Sequence, residues 1–147
     1  MAITQAVCNS FKKELLDGVH DFDSGGDAFK LALYKSTATI NAATTSYTTG
    51  NEVSPSGQYA AGGSQLQSQQ TSVASGVAIV NFANLSFTGV TLTARGALIY
   101  NTTTDGGTGT TEAVAVLDFG GDKTATSGTF TIQFPAFTTS AAILRIA

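Results

Sequence analysis

Tryptophan is absent from this sequence, cysteine occurs once, and histidine occurs once. With Cys8 alone, neither an internal disulfide nor a thiolate-rich zinc site can form, and the expected role of Cys8 is that of a small buried apolar residue. Charge is also scarce: Asp, Glu, Lys and Arg make up 12% of the chain, about half the usual share. Ten acidic and seven basic residues leave a net charge of -3, and the only run of basic residues is Lys12-Lys13. A phosphate backbone would find no electrostatic footprint, so no nucleic-acid partner is expected. No apolar run approaches the ~20 residues that span a bilayer, and MAITQAVCNSFKKELL lacks the charged-then-apolar order of a signal peptide. A soluble protein made in a cytoplasm, with no membrane partner, is the expectation.

What is present is Thr, Ser, Ala and Gly, in a chain of 147 residues, the size of one domain. Such a weakly charged surface suits dry contact with other protein. Residues 4–17 read as one helix, with Val7, Phe11 and Leu15 forming an apolar stripe at a spacing of four, Thr4 as its cap and Gly18 as its stop. That stripe is narrow enough to dock on one surface, which makes these three residues candidate interface positions.

From Phe29 onward the period becomes two, with Phe29, Leu31 and Leu33 on one side and Lys30, Ala32 and Tyr34 on the other, as in a half-buried strand. Further strands are expected at residues 64–71, 77–82, 92–101, 112–119, 129–134 and 142–146, each bounded by turn-forming residues. The run AVAVLDFG is apolar on both faces up to Asp118 and reads as a central strand. Residues 36–63 contain too few large apolar residues for a core element and read as a long surface excursion, with a short strand near Glu52 and Val53. Seven or eight strands in one domain favour two stacked sheets. The expected fold is therefore mainly β: a jelly-roll-like antiparallel β-sandwich over residues 28–147 with one N-terminal α-helix.

If NTTTDGGTGTTE is a hairpin loop with Asn101 opposite Glu112, Arg95 falls opposite Asp118 and can pair with it, beside Ala97, Ile99, Val114 and Val116. The glycine-rich segments TDGGTGT and GGDK lack the lysine and helix start of a phosphate loop and read as hairpin loops.

HDFDSGGDAF gathers His20, Asp21, Asp23 and Asp27 around two glycines. Carboxylates at the first and third positions and glycine at the sixth match a calcium loop, but Ala32 stands where the closing carboxylate belongs. The stretch is read as a solvated turn between helix and first strand, with no metal ligand assigned. His20 has no Ser-His-Asp order or G-x-S-x-G turn around it, and Glu14, Glu52 and Glu112 stand in no motif, so no catalytic residue and no cofactor is expected. Tyr34, Tyr47, Tyr59 and Tyr100 could stack on sugars if exposed together, which would make a carbohydrate-binding β-sandwich. In sheets they more often pack or sit at contacts, and Tyr47 and Tyr59 join the candidate interface residues.

AVCNSFKKELLDGVHDF, FKLALYKSTATI, NEV, TARGALIYN, AVAVLDFGGDK, TIQFP and ILRIA, spread over nearly the whole chain, together resemble a family of small structural proteins of tailed bacteriophages. The resemblance implies a non-enzymatic virion protein assembled in the host cytoplasm. Its expected role is capsid cement or decoration: an oligomer on the shell exterior, bound where major capsid subunits meet. A tail, neck or adsorption component of the same particle is the alternative it implies.

Overall fold

In the computed structural model, which describes residues 2–103 and 111–147, the chain is mainly β, with antiparallel sheets and one short helix. The expected hairpin loop TDGGTGT, residues 104–110, lies outside the described residues. Strand β2, Phe29–Tyr34, is the apolar alternation predicted from sequence, but both of its faces are covered and only Lys30 reaches partial exposure. Hence the half-buried expectation is corrected to a strand interior to its sheet.

That sheet has five strands in the order β1-β7-β6-β2-β3, where β1 is Ala6–Val7, β3 is Ser64–Gln65, β6 is Leu85–Asn101 and β7 is Ala113–Ile132. The AVAVLDFG run lies within β7, an interior strand, as its two apolar faces require. β7 joins the two segments expected separately at 112–119 and 129–134. The glycines between them act as irregularities of a continuous ladder, with Gly120 at a φ of 78°. A second sheet has the order β4-β5-β8: Gln70–Ala74, Val77–Asn81 and Leu144–Ile146. The strand expected at 64–71 is thus two strands in two sheets. Ser68, at a φ of 54°, lies in the break between them.

The N-terminal expectation also changes. Helix α1 spans Asn9–Leu16, and Val7 belongs to β1, paired with Ala115 of β7. Thr4 caps nothing: its backbone N–H donates to the Ile40 carbonyl, and the Cys8 N–H donates to the Val114 carbonyl at 3.0 Å. Sheet hydrogen bonding claims the first residues before a helix can start. The helix does end near Gly18, whose φ is 77°.

Residues 36–63 run mostly over the surface, as expected, but they are pinned to the core at several points. Ala38, Ile40, Val53 and Tyr59 are buried in the same apolar cluster as β2, β6 and β7. Glu52 makes a single bridge to Tyr34, and the Val53 N–H donates to the Leu33 carbonyl at 2.9 Å. At Gly63 (φ 77°) a Cβ would lie 1.7 Å from the Leu31 carbonyl oxygen, so only glycine lets the returning chain press onto β2.

The β6/β7 register departs from expectation by one residue. Tyr100 does face Ala113, but a bulge follows, so Ile99 faces Ala115 and Gly96 faces Asp118. Arg95 sits at a second irregularity, where Ala94 already faces Lys123. A one-residue slip in a regular ladder would put Arg95 and Asp118 on opposite faces. Instead the irregularity re-aims them: Arg95 Nε lies 3.4 Å from Asp118 Oδ1, which also accepts the Gly120 N–H at 2.9 Å.

Candidate docking surface

The HDFDSGGDAF stretch folds into a tied-off polar turn. His20 is buried, with Nε2 3.3 Å from Glu14 Oε1 and Nδ1 3.0 Å from Asn101 Nδ2. One tautomer satisfies both contacts: Nε2–H donates to Glu14, and Nδ1 accepts from Asn101. Asn101 donates its other proton to Asp27 Oδ2 at 2.8 Å, and the same oxygen accepts the Asp21 N–H at 2.9 Å. Asp21 Oδ1 takes the Asp23 N–H. The Asp21 and Asp27 carboxylates are thus engaged by the chain's own donors. Among the described residues, no group of three His, Cys, Asp or Glu is placed to hold a metal.

A second polar cluster centres on Glu52, 8% exposed. Its carboxylate accepts hydrogen bonds from Tyr47 Oη at 2.6 Å, Tyr59 Oη at 2.8 Å and the Gly62 N–H at 2.6 Å. Tyr100 Oη donates to the Gly62 carbonyl, and Tyr34 Oη to the Thr48 carbonyl. Burial pushes the Tyr34 and Tyr100 hydroxyls up to about 12, and Tyr47 and Tyr59 higher still, burial acting first with the Glu52 charge adding to it. These four residues therefore form no exposed platform for sugars. Tyr59, 1% exposed, is no surface residue and is corrected from an interface position to a part of this network, whereas Tyr47 is half-buried with its hydroxyl engaged in it. It clamps residues 47–62 to the sheet.

Val7, Phe11 and Leu15 do meet at one place, a groove of about 690 Å³ beside α1. Phe11 is buried against His20 and Phe22, at ring-centroid distances of 4.9 and 5.8 Å, so it forms the groove floor while Leu15 and Leu16 form one wall. The opposite wall is the small sheet. Ala78 faces Ile146 and Val80 faces Leu144 in the ladder, and all four line the groove with Thr71. Alternation along β4 puts Val73 on this face too, opposite Ala78.

Exposure makes this groove distinctive. Four large apolar residues are exposed among the described residues: Leu16 (90%), Val73 (70%), Ile146 (55%) and Phe137 (36%). Leu16 and Ile146 line this groove, and Val73 lies beside it on the same face of the small sheet. Lys12, Asp21, Asp23 and Arg145 supply a polar rim. An apolar floor with a polar rim is the anatomy of a protein-docking surface.

Sequence reasoning found the helix side of the groove and missed the sheet side. Its signal was alternation, Thr71/Val73, Ala78/Val80 and Leu144/Ile146, in three strands that only the fold brings together. Cys8, the chain's lone thiol, is fully buried and pushed up to about 11 by burial, with Glu14 adding to the effect. It is kept in the unreactive thiol form. No helix among the described residues is long and apolar enough to cross a membrane. No family model matches the chain, and no match was found among curated proteins or solved structures.

Proposed function

We propose that this chain is a structural virion protein of a tailed bacteriophage, a capsid cement or decoration protein that binds the shell exterior where major capsid subunits meet. The groove between α1 and the β4-β5-β8 sheet is its docking surface. The observation that carries this reading is that Leu16 and Ile146, two of the four exposed large apolar residues among the described residues, line one rimmed groove, with a third, Val73, on the same face of its sheet wall. The sequence resemblance supplies the particle, and the groove supplies the contact. Its partner segment would offer apolar side chains to the floor and backbone polar groups to the rim. The role is mechanical: a protein that binds only the assembled, expanded lattice stabilises it by mass action. In the same proposal the two sheets are layers of a jelly-roll-like sandwich that gives the rigidity such a clamp needs.

Co-sedimentation with purified expanded shells tests the reading. The wild-type chain should pellet with shells, and the double variant Leu16→Glu/Ile146→Glu should bind at least tenfold more weakly while its circular dichroism is unchanged. Equal pelleting of the variant would remove the groove from the proposal, and a wild-type chain that stays in the supernatant would remove the function. Counting copies by electron microscopy separates shell from tail or neck: hundreds over the shell, or a handful at one vertex. Deleting residues 1–17 is the poorer test, because Cys8 and Phe11 belong to the core.

A further inference from the structure

An edge strand usually carries a device against pairing with another chain, such as a charge, a proline or a bulge. Strand β4 carries none. Its sequence is Gln-Thr-Ser-Val-Ala, all five residues are exposed, and its ladder with β5 runs unbroken from Gln70↔Asn81 to Ala74↔Val77. The two strands are joined by Ser75-Gly76, both at positive φ (51° and 76°), the two-residue turn whose twist matches the strands. Such a turn makes Ala74 and Val77 a hydrogen-bonded pair, and strict alternation then directs the backbone groups of Gln70, Ser72 and Ala74 at β5. The N–H and C=O of Thr71 and Val73 point outward. No hydrogen bond from the described residues reaches them from that side.

We infer that β4 pairs antiparallel with β4 of a second copy of this chain, about a two-fold axis passing between the two Ser72 residues. Thr71 then faces Val73 of the other copy, and the reverse pair forms by symmetry. This is the register in which every outward donor and acceptor of both strands is used, four hydrogen bonds in all. A two-fold centred on Thr71 or on Val73 leaves some of these groups reaching past the strand. The other edge of the sheet is less suited to pairing with itself, because a two-fold at the centre of β8 sets Arg145 against its own copy. β4 is uncharged and meets no such repulsion.

This inference goes beyond the docking function and gives it geometry. The two-fold of an antiparallel pair stands perpendicular to the sheet, so facing residues share a side and both grooves open in the same direction. Two three-stranded sheets become one of six strands, with Val73 of each copy near the centre of a continuous face. A pair of co-facing grooves engages a repetitive lattice at two points, and the second contact forms at the effective concentration set by the first.

Three variants test the pairing on the full-length chain. In sedimentation the wild type should behave as a species of twice the 15.0 kDa chain mass. Val73→Pro removes an outward donor and no bond to β5, so its self-association should weaken at least tenfold with the circular dichroism retained. Ser72→Cys places two thiols across the two-fold in a non-hydrogen-bonded pair, about 4.5 Å apart at Cα, within disulfide reach, and should cross-link under mild oxidation. Ala74→Cys, displaced along the strand by roughly 13 Å from its counterpart, should not. A monomeric wild type, or cross-linking of Ala74→Cys in preference to Ser72→Cys, overturns the inference even should Val73→Pro misfold. Shell binding is read separately: a monomer that pellets with shells sinks the pairing alone, and a dimer that does not pellet sinks the docking function alone.

Discussion

Replacing Glu52 by alanine should cost more stability than any single surface substitution in this protein. The carboxylate is the shared acceptor for Tyr47, Tyr59 and the Gly62 N–H at 2.6–2.8 Å. Tyr47 is half-buried, so its hydroxyl can find water, whereas the buried Gly62 N–H would be left unpaired and the buried Tyr59 hydroxyl would keep only a long 3.5 Å contact to the Leu33 carbonyl oxygen. Each orphaned buried donor costs about 1–3 kcal/mol, and the vacated side-chain volume adds to that, for a total of about 3–5 kcal/mol. In a chain of this length the loss corresponds to a fall in melting temperature of roughly 10 °C. Glu52→Gln keeps one acceptor oxygen and the shape, and a tyrosine hydroxyl can turn to accept from its amide, so about 1–2 kcal/mol should be lost. Urea unfolding followed by circular dichroism, with the slope checked for constancy, measures both. A Glu52→Ala loss below about 1 kcal/mol, or Glu52→Gln less stable than Glu52→Ala, would refute the view that this cluster clamps residues 47–62 to the sheet.

The buried tyrosines give an alkaline limit. Tyr34 and Tyr100 are held up at about 12 against an ordinary value of 10.0, so the unfolded chain releases these protons first. Stability should therefore be intact below pH 10 and fall as pH rises toward 12, with Tyr34→Phe and Tyr100→Phe flattening the fall in thermal melts. Gly63→Ala should destabilise by about 3 kcal/mol or more in urea titrations, because strain at positive φ adds to the Cβ collision with the Leu31 carbonyl oxygen. Arg95→Ala should change stability by less than about 1 kcal/mol, since both partners of that 3.4 Å contact are partly exposed; a larger loss would show that the ladder irregularity depends on it.

Legibility from sequence varied with how locally each feature is determined. Phe29 to Tyr34 announces a strand because alternation is carried by adjacent residues, and its backbone pairing simply follows. The turn at residues 20–27 was equally legible, because Asp and Gly make such turns with their own neighbours. Its solvated reading is corrected, since His20 and Asp27 are buried against the distant Asn101. The helix boundary failed at Ala6 and Val7, where a distant β7 outbid local helical periodicity. Gly120, Gly121, Ser127 and Gly128 look like loop formers, yet they sit inside β7, because irregularities in a long twisted ladder need the same residue types as turns. Residues 36–63 looked loop-like through their shortage of large side chains. They are anchored by a few apolar residues, Ala38, Ile40 and Val53, and by hydrogen bonding of Tyr47, Tyr59 and Gly62 to one carboxylate, which composition does not reveal. Half of the groove was hidden for a simpler reason: Ile146 and Leu144 are far in sequence from the β4–β5 hairpin that carries Thr71 and Val80, and both are far from α1, so nothing local announces that they share a groove.

Pairing of Ala6 with Val116 sets the order of events during synthesis. Ala6 and Val7 must wait for more than a hundred later residues before their sheet partner exists, and until then Cys8 and Phe11 have no complete core to enter. The segment that holds β1 and α1 is therefore among the last to lock. A nascent chain stalled before β7 would display the helix's apolar face to chaperones rather than to the finished sheet.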